Sequence, residues 1–200
     1  MSDTERRKYF EQFVDEWDKM FTAEELELLE FLIDSFDFRK GYKVADLGCG
    51  TGVMFDIIRR RIGPEGIIVG VDFCSRMLEK ARMNFPFDNI YTVDGDVEDL
   101  PLKSGAFDIA LTFAAFAHFS NQKRAMEESA RILRPGGQFY VIHLVSSTEL
   151  EAEHHQMGGP IAEDRLPARE DMMQLFIDGG FKDVKITDHP GLYLAQGIKA

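Results

Sequence analysis

Cysteine, basic charge and long apolar runs are scarce in this sequence, and each shortage excludes a class of protein. The two cysteines, Cys49 and Cys74, are too few for a disulfide framework or a structural zinc site. The 23 lysines and arginines are outnumbered by 35 aspartates and glutamates, and the resulting net charge of -12 repels phosphate backbones and anionic lipids. We therefore expect neither a nucleic acid nor a membrane as a partner.

The apolar residues are dispersed along the chain rather than gathered into one span. No window approaches the roughly 18 apolar residues of a membrane-crossing helix, and the first twenty residues lack the apolar core of a signal peptide. Together with the scarcity of cysteine, this predicts a cytoplasmic protein. Its 200 residues, 44% of them hydrophobic, suit one domain with a sizeable core.

Short β-type runs alternate with helical segments from Lys43 onward, in the order typical of a parallel sheet with right-handed crossovers. The predicted strands are 43–47, 67–71, 90–94, 107–113 and 138–143, and the predicted helices lie near 52–62, 75–84 and 121–133. A helix near 170–179 and an antiparallel hairpin of strands 184–187 and 192–198 complete the chain. The pattern indicates an α/β fold.

Two segments lie outside that pattern. Residues 5–36 are predicted to form two amphipathic helices that carry a stripe of aromatic side chains, with Thr22 as the cap of the second helix. The stripe either packs against the domain or forms a lid over a ligand. Residues 145–169 show no regular pattern and follow the carboxyl end of a strand, where open α/β sheets bind their ligands.

A glycine-rich turn marks the candidate ligand site. Gly48, Gly50 and Gly52 lie between a predicted strand and a predicted helix, where glycine permits a tight turn and a close approach of a ligand to the backbone. The dinucleotide fingerprint G-x-G-x-x-G is incomplete, because Val53 stands at its last position. By itself, however, such a turn leaves an NAD-type oxidoreductase as an alternative.

Three aspartates narrow the ligand. Asp46 ends the strand before the glycines, where a carboxylate can bind an ammonium group but would repel a pyrophosphate. Asp72 ends the next strand and is placed to accept hydrogen bonds from a ribose diol, while Asp96 follows the third strand and is placed to accept one from an adenine amine. An amino acid, a ribose and an adenine together make up S-adenosylmethionine.

Each aspartate also has a structural interpretation. Asp46 and Asp96 would then be turn residues, and Asp72 would cap the helix that follows it, although Ser75 is the better candidate for that cap. The occurrence of all three acids at the ends of successive strands favours the binding hypothesis.

The sequence resembles the class I S-adenosylmethionine-dependent methyltransferases over about residues 43–143. The segments that carry the resemblance, in the family's order, are VADLGCGTG, GVDFCSRML, GDVEDLPL, FDIALTFAAFAHF and RILRPGGQF. The resemblance implies a doubly wound, mostly parallel seven-stranded sheet with an antiparallel last strand, preceded by N-terminal cap helices. It also implies a set of cofactor-binding residues: Asp46, Gly48, Cys49, Gly50, Gly52, Asp72, Phe73, Met77, Asp96, Val97 and Phe113.

With that resemblance, the chain divides into four parts of one domain. We expect a helical cap (1–40), a cofactor-binding core (41–143), a substrate-facing insertion (144–169) and a C-terminal helix with a hairpin (170–200). Within them, the residues expected to contact the methyl acceptor are Trp17, His118, His154, His155 and Met157.

Two histidines are candidate general bases. His118 and His143 follow or end strands at the expected ligand-binding edge, and histidine titrates in the range that proton abstraction needs. The alternatives are that His118 caps the following helix and that His143 is a satisfied core residue. A base is needed only for an acceptor that arrives protonated, because the sulfonium methyl group is already activated.

The expected function is S-adenosylmethionine-dependent methyl transfer to a small molecule through an undetermined O, N, S or C nucleophile. A catalytically silent S-adenosylmethionine-binding regulatory module is a further alternative. We expect no metal, because the spacing of His143, Glu153, His154 and His155 matches no familiar ligand pattern. The sequence does not indicate the oligomeric state.

Overall fold

The computed structural model describes residues 3–200, with side chains from residue 5 onward. The first two residues of the predicted cap therefore lie outside the described residues. The strands in the described chain are β1 (Lys43–Leu47), β2 (Ile67–Asp72), β3 (Ile90–Asp94), β4 (Phe107–Phe113), β5 (Leu133–His143), β6 (Phe181–His189) and β7 (Leu192–Lys199). The α-helices are α1 (Asp3–Glu11), α2 (Ala23–Ile33), α3 (Phe55–Ile62), α4 (Ser75–Asn84), α5 (Gln122–Ile132), α6 (Ser147–Met157) and α7 (Arg169–Asp178).

The described strands form one mixed sheet in the order β3-β2-β1-β4-β5-β7-β6. The strands β1 to β5 are parallel to one another, and β7 runs antiparallel between β5 and β6. This confirms the predicted doubly wound α/β sheet with its antiparallel last strand. Because the order in which strands are added to the sheet reverses between β1 and β4, the carboxyl ends of β1, β2 and β4 meet at a topological switch point, the usual ligand site of such sheets.

Alternate residues of the strands point to opposite faces of the sheet, and each face is buried by its own helices. On one face, Ala45 and Phe139 pack with α5 and α7. On the other face, Val44 and Ile142 pack with α2, α3 and α4. The sheet is thus apolar on both faces, which explains why its central strands read as continuous hydrophobic runs.

The prediction for the N-terminal segment is confirmed for its second helix but not for its first. Thr22 caps α2 through a capping box with Glu25, which confirms the predicted helix start. The aromatic stripe is not one helix, however, because α1 ends at Glu11 and Trp17–Lys19 is a short 3-10 helix. We call the described part of residues 1–40, which contains α1, this 3-10 helix and α2, the cap.

The expectation of an irregular segment over 145–169 is wrong. Residues Ser147–Met157 form α6, which begins at a capping box between Ser146 and Glu149. The pattern Ser-x-x-Glu before this helix is the sequence signal that would have predicted it. In the described chain, no helix has the length and apolarity needed to span a membrane.

Candidate active site

A cavity lies at the carboxyl ends of β1, β2 and β4, beneath the cap. Ten of the eleven predicted cofactor-binding residues line it, namely Asp46, Gly48, Cys49, Gly50, Asp72, Phe73, Met77, Asp96, Val97 and Phe113. The cap contributes Arg6, Arg7, Phe10, Trp17 and Phe21, and the segment after β4 contributes His118 and Phe119. The cavity therefore has a floor of strand-end loops and a roof of cap side chains.

The glycine-rich turn allows close packing at two places. Gly48 has a φ of 75°, and a Cβ at that position would lie 2.6 Å from the Cβ of Ala115. Gly52 has a φ of 87°, but its Cα faces the rings of Phe55 and Phe85 and does not line the cavity. The expectation that Gly52 contacts the cofactor is therefore corrected, since this glycine lets α3 pack under the turn.

Asp46 is a buried carboxylate without a partner. Its side chain is 1% exposed, and neither carboxylate oxygen has a hydrogen-bond partner among the described residues. Burial, with a smaller contribution from the charge of Asp72, raises the pKa of Asp46 to about 8. Because buried polar groups are almost always paired, this side chain fits a hydrogen-bond donor or a cation brought by a ligand in the cavity. The interpretation of Asp46 as a turn cap is wrong.

Asp72 connects the end of β2 to the glycine-rich turn. Its carboxylate accepts hydrogen bonds from the backbone N–H groups of Gly50 and Cys74, each at 2.8 Å. Burial raises the pKa of Asp72 to about 6, against the opposing effect of these two hydrogen bonds. Each carboxylate oxygen keeps acceptor capacity for a ligand hydroxyl. Ser75 does not cap α4; its hydroxyl donates to Asp94 instead.

Asp96 forms a turn and also lines the cavity. Its Oδ1 accepts a hydrogen bond from the N–H of Glu98 at 2.8 Å, which fixes the turn after β3. The same residue is exposed and lines the cavity, next to the buried side chain of Val97. The turn interpretation and the binding hypothesis are therefore compatible.

His118 lies in the short 3-10 helix Phe116–His118 and lines the cavity. Its Nδ1 is 2.7 Å from Oδ2 of Asp164, and the ring of Phe10 lies edge-on at 5.1 Å between centroids. Burial lowers the pKa of His118 although its hydrogen bond to Asp164 opposes the shift, so the ring is neutral at pH 7. The cap interpretation of His118 is wrong, because Asn121 caps α5 by accepting from the N–H of Arg124.

The structure does not support His143 as a base. Its side chain is 2% exposed, lies outside the lining of the cavity and has no partner at Nε2 in the described chain. Burial, with smaller contributions from His118 and His154, lowers the pKa of His143 to about 3. It is a core histidine, but an unsatisfied one.

Three of the five predicted acceptor contacts are also misplaced. His154 is buried outside the cavity lining, where its Nδ1 donates to the backbone carbonyl of Asp164 at 2.7 Å. His155 and Met157 lie on the exposed side of α6, away from the cavity. Trp17 and His118 do line it. Side chains in the described chain form no group of three or more histidines, cysteines and acids that would hold a metal.

Sequence reasoning missed Arg6 and Asp164. The guanidinium of Arg6 donates to both oxygens of Asp164, and Asp164 in turn accepts from His118. No local pattern marks either residue, because their neighbours in space come from distant parts of the chain. The segment 144–169 supplies Asp164, but none of its residues lines the cavity, and its capping box signals only the start of α6.

Comparison with known proteins places this geometry in a family. A sequence profile of the methyltransferase domain family matches residues 45–141. A demethylmenaquinone methyltransferase of Staphylococcus aureus is 25% identical over 176 residues, covering 76% of this chain and 73% of that protein. A 37.1 kDa protein of transposon TN4556 from Streptomyces fradiae is 34% identical over 110 residues, 54% of this chain but only 31% of that protein's length.

The fold agrees with that match. A solved S-adenosylmethionine-dependent methyltransferase from Aquifex aeolicus superimposes with a TM-score of 0.75 at 18% identity, covering 94% of this chain and 98% of that one. The unpartnered Asp46, the turn with Asp72 and the cavity at the sheet's switch point fit S-adenosylmethionine. Residues 45–141 therefore belong to the methyltransferase domain family, and the chain has the fold of the class I S-adenosylmethionine-dependent methyltransferases.

Proposed function

We propose that this protein transfers the methyl group of S-adenosylmethionine to a small-molecule acceptor that reaches the cavity beneath the cap. The observation that carries the proposal is Asp46, a buried carboxylate with two unpartnered oxygens next to the glycine-rich turn. An ammonium group supplies the cation that this carboxylate lacks, whereas a pyrophosphate at the same turn would be repelled. This favours a methyltransferase over an NAD-type oxidoreductase.

The remaining cofactor contacts follow from the order of the strand-end loops. In this proposal, Asp72 accepts from the ribose hydroxyls, and Asp96 with the backbone of Val97 holds the adenine. Cys49, Gly48 and Gly50 border the methionine part, while Phe73, Met77 and Phe113 supply apolar wall. Bound there, the cofactor supplies a methyl group already activated on a sulfonium sulfur.

The cap and His118 face the acceptor. Aromatic side chains form much of this part of the lining: Phe10, Trp17, Phe21, Phe113 and Phe119. Such a wall favours a flat, apolar acceptor over a charged peptide segment. The Staphylococcus aureus relative is named for demethylmenaquinone, also a small molecule, which is consistent with this choice.

His118 serves as the general base when the acceptor carries a hydroxyl. The ring is neutral at pH 7 because burial lowers its pKa, and it therefore has one nitrogen free to accept a proton. With the cofactor bound, the new oxygen–carbon bond would replace the carbon–sulfur bond, whose electron pair would stay on sulfur. The hydroxyl proton passes to the imidazole.

The parts of the chain take matching roles. We propose that 41–143 binds the cofactor, that the cap (1–40) and the insertion (144–169) enclose the acceptor, and that the tail (170–200) completes a single domain. Both cysteines are free and buried, which fits a reducing compartment such as the cytoplasm.

Incubation with methyl-labelled S-adenosylmethionine and a panel of small phenols, quinols, amines and thiols tests this function. We expect release of S-adenosylhomocysteine together with a labelled acceptor, and His118→Gln should lower turnover of hydroxyl acceptors while leaving S-adenosylhomocysteine binding intact. Binding of S-adenosylhomocysteine without turnover of any acceptor would favour the silent regulatory module. Calorimetric binding of NADH in place of S-adenosylhomocysteine would favour the oxidoreductase.

A further inference from the structure

Three largely buried side chains from three separate segments meet beside the cavity. Arg6 comes from α1, His118 from the 3-10 helix after β4, and Asp164 from the segment after α6. Arg6 Nη2 is 2.8 Å from Oδ1 of Asp164, its Nη1 contacts Oδ2, and His118 Nδ1 is 2.7 Å from that same Oδ2. The side chains are only 13%, 14% and 10% exposed for Arg6, His118 and Asp164.

The charge states of this cluster fix the proton on His118. Burial favours a neutral Asp164, but the hydrogen bonds from His118 and Arg6 outweigh it and lower the pKa of Asp164. An ionised carboxylate only accepts hydrogen bonds, so Nδ1 of His118 must carry a proton and donate it. In the neutral ring the basic lone pair is then on Nε2.

The backbone of Asp164 is held separately from its side chain. Its N–H donates to the carbonyl of Ile161 at 2.9 Å, and its carbonyl accepts from Nδ1 of the buried His154 at 2.7 Å. His154 therefore anchors the segment, with its ring 4.8 Å from that of His118. The orientation of the carboxylate itself depends on Arg6.

Arg6 makes this orientation depend on the cap. The residue lies on α1 and also lines the cavity, so the cap brings it to Asp164 only when α1 lies over the ligand site. A separate contact holds the cap against α4, where Nζ of Lys80 donates to the carbonyl of Val14 at 2.7 Å. Docking of the cap thus brings an arginine to the one carboxylate that faces His118 Nδ1.

We propose that Asp164 is the positioning residue that holds His118 as the Nδ1-protonated tautomer, and that Arg6 completes this arrangement when the cap docks. The inference rests on the proposed function, in which His118 takes the acceptor's proton. It adds that the base becomes competent only under a closed cap, which protects the reacting methyl group from water.

Nitrogen-15 NMR of histidine-labelled protein saturated with S-adenosylhomocysteine tests the proposal without an acceptor. At pH 8 we expect the His118 Nδ1 resonance to be of the protonated type and Nε2 of the unprotonated type. Asp164→Asn should mix the two tautomers, because an amide can accept from Nδ1–H or donate to a bare Nδ1. Arg6→Gln should produce a smaller change of the same kind, with faster exchange of the Nδ1 proton.

Lys8→Gln is the matched control, because it removes a positive charge from an exposed position of α1, the helix that also carries Arg6. Its His118 resonances should be those of the unsubstituted protein. Thermal unfolding and S-adenosylhomocysteine affinity, measured for every variant, show whether a change of tautomer comes from general loss of structure. For Asp164→Asn we expect the unfolding temperature and the S-adenosylhomocysteine affinity to equal those of the unsubstituted protein within experimental error.

A wild-type His118 protonated at Nε2 would overturn the proposal, as would an Asp164→Asn variant with unaltered His118 resonances. An unchanged His118 spectrum in Arg6→Gln would contradict the part of the proposal in which the cap, through Arg6, helps to position His118. Once an acceptor is known, Asp164→Asn should lower kcat by less than the roughly 10²–10⁴-fold that a general base contributes, with little change in KM. If the tautomer is as expected but no acceptor is methylated, the positioning of His118 by Asp164 stands and the proposed function fails.

Discussion

The two halves of the cavity are built in different ways. The cofactor side is made of consecutive strand-end loops, and its main polar contact, from Gly50 to Asp72, joins residues 22 positions apart. On the acceptor side, His118 meets Asp164 across 46 positions and Arg6 meets Asp164 across 158. The cofactor side is therefore built from segments that lie close together in the sequence. The acceptor side is built from side chains that are distant in the sequence and meet only in the folded protein.

This difference separates a general function from a particular one. Parallel strands deliver their following loops to one edge of the sheet, so the cofactor side follows from the topology itself. The acceptor side depends on how the cap and α6 pack over that edge. A change on the first side should thus abolish cofactor binding, and a change on the second should alter turnover with binding retained.

The largest effect is expected from Gly48→Ala on the cofactor side. The new Cβ would lie 2.6 Å from the Cβ of Ala115, at a φ of 75° that already disfavours side chains. Strain and overpacking together should cost about 2–5 kcal/mol in the free energy of unfolding, and S-adenosylhomocysteine should bind at least about 100-fold more weakly. Urea unfolding and calorimetry measure the two quantities.

Gly105→Ala is the control for Gly48→Ala. Gly105 has a φ of 65°, but nothing lies within 4 Å of its Cβ position. The variant should pay only the backbone cost, about 1–2 kcal/mol, and keep its cofactor affinity. Equal losses in the two variants would show that the turn does not need a close approach at Gly48.

The next effect is expected from Asp46→Asn. Loss of a charged hydrogen bond to the ammonium group should weaken S-adenosylhomocysteine binding by about 10- to 150-fold, or about 1.5–3 kcal/mol. Without ligand the variant should instead be more stable than the unsubstituted protein at pH 8. The reason is that the neutral asparagine places no unpaired charge at this buried position.

The pH dependence gives the sign of that second effect. The pKa of Asp46 is about 8 in the folded protein, against 3.8 for the free group, so the folded state binds the proton more tightly. Ligand-free stability should therefore fall as the pH rises from about 4 to 8, and this component should be missing in Asp46→Asn. Denaturant unfolding across that range checks it, and parallel curves for the two proteins would contradict a buried, unpaired carboxylate.

The sequence allowed much more of the cofactor side than of the acceptor side to be predicted. Asp46, Asp72 and Asp96 were found because each lies at or just after the carboxyl end of a strand. The order of the strands in the sheet then determines that these ends lie together. His143 was misassigned because ending a strand at the correct edge does not decide which face its side chain takes. Arg6 and Asp164 had no signal at all, since an ion pair across 158 positions leaves no spacing to recognise.

The smallest effect is expected from His143→Leu, which tests whether the acceptor side is confined to His118 and its partners. His143 does not line the cavity and has an unpartnered Nε2, so an apolar residue of similar size should leave turnover within about threefold. Its folded pKa of about 3 lies below the free value of 6.5, so the unsubstituted protein should lose stability as the pH falls from about 6.5 towards 3. His143→Leu should lack that loss and become relatively more stable at pH 5 than at pH 8 in denaturant unfolding. A turnover loss as large as that of His118→Gln would instead show that His143 takes part in proton transfer. The acceptor side would then include a residue that does not line the cavity.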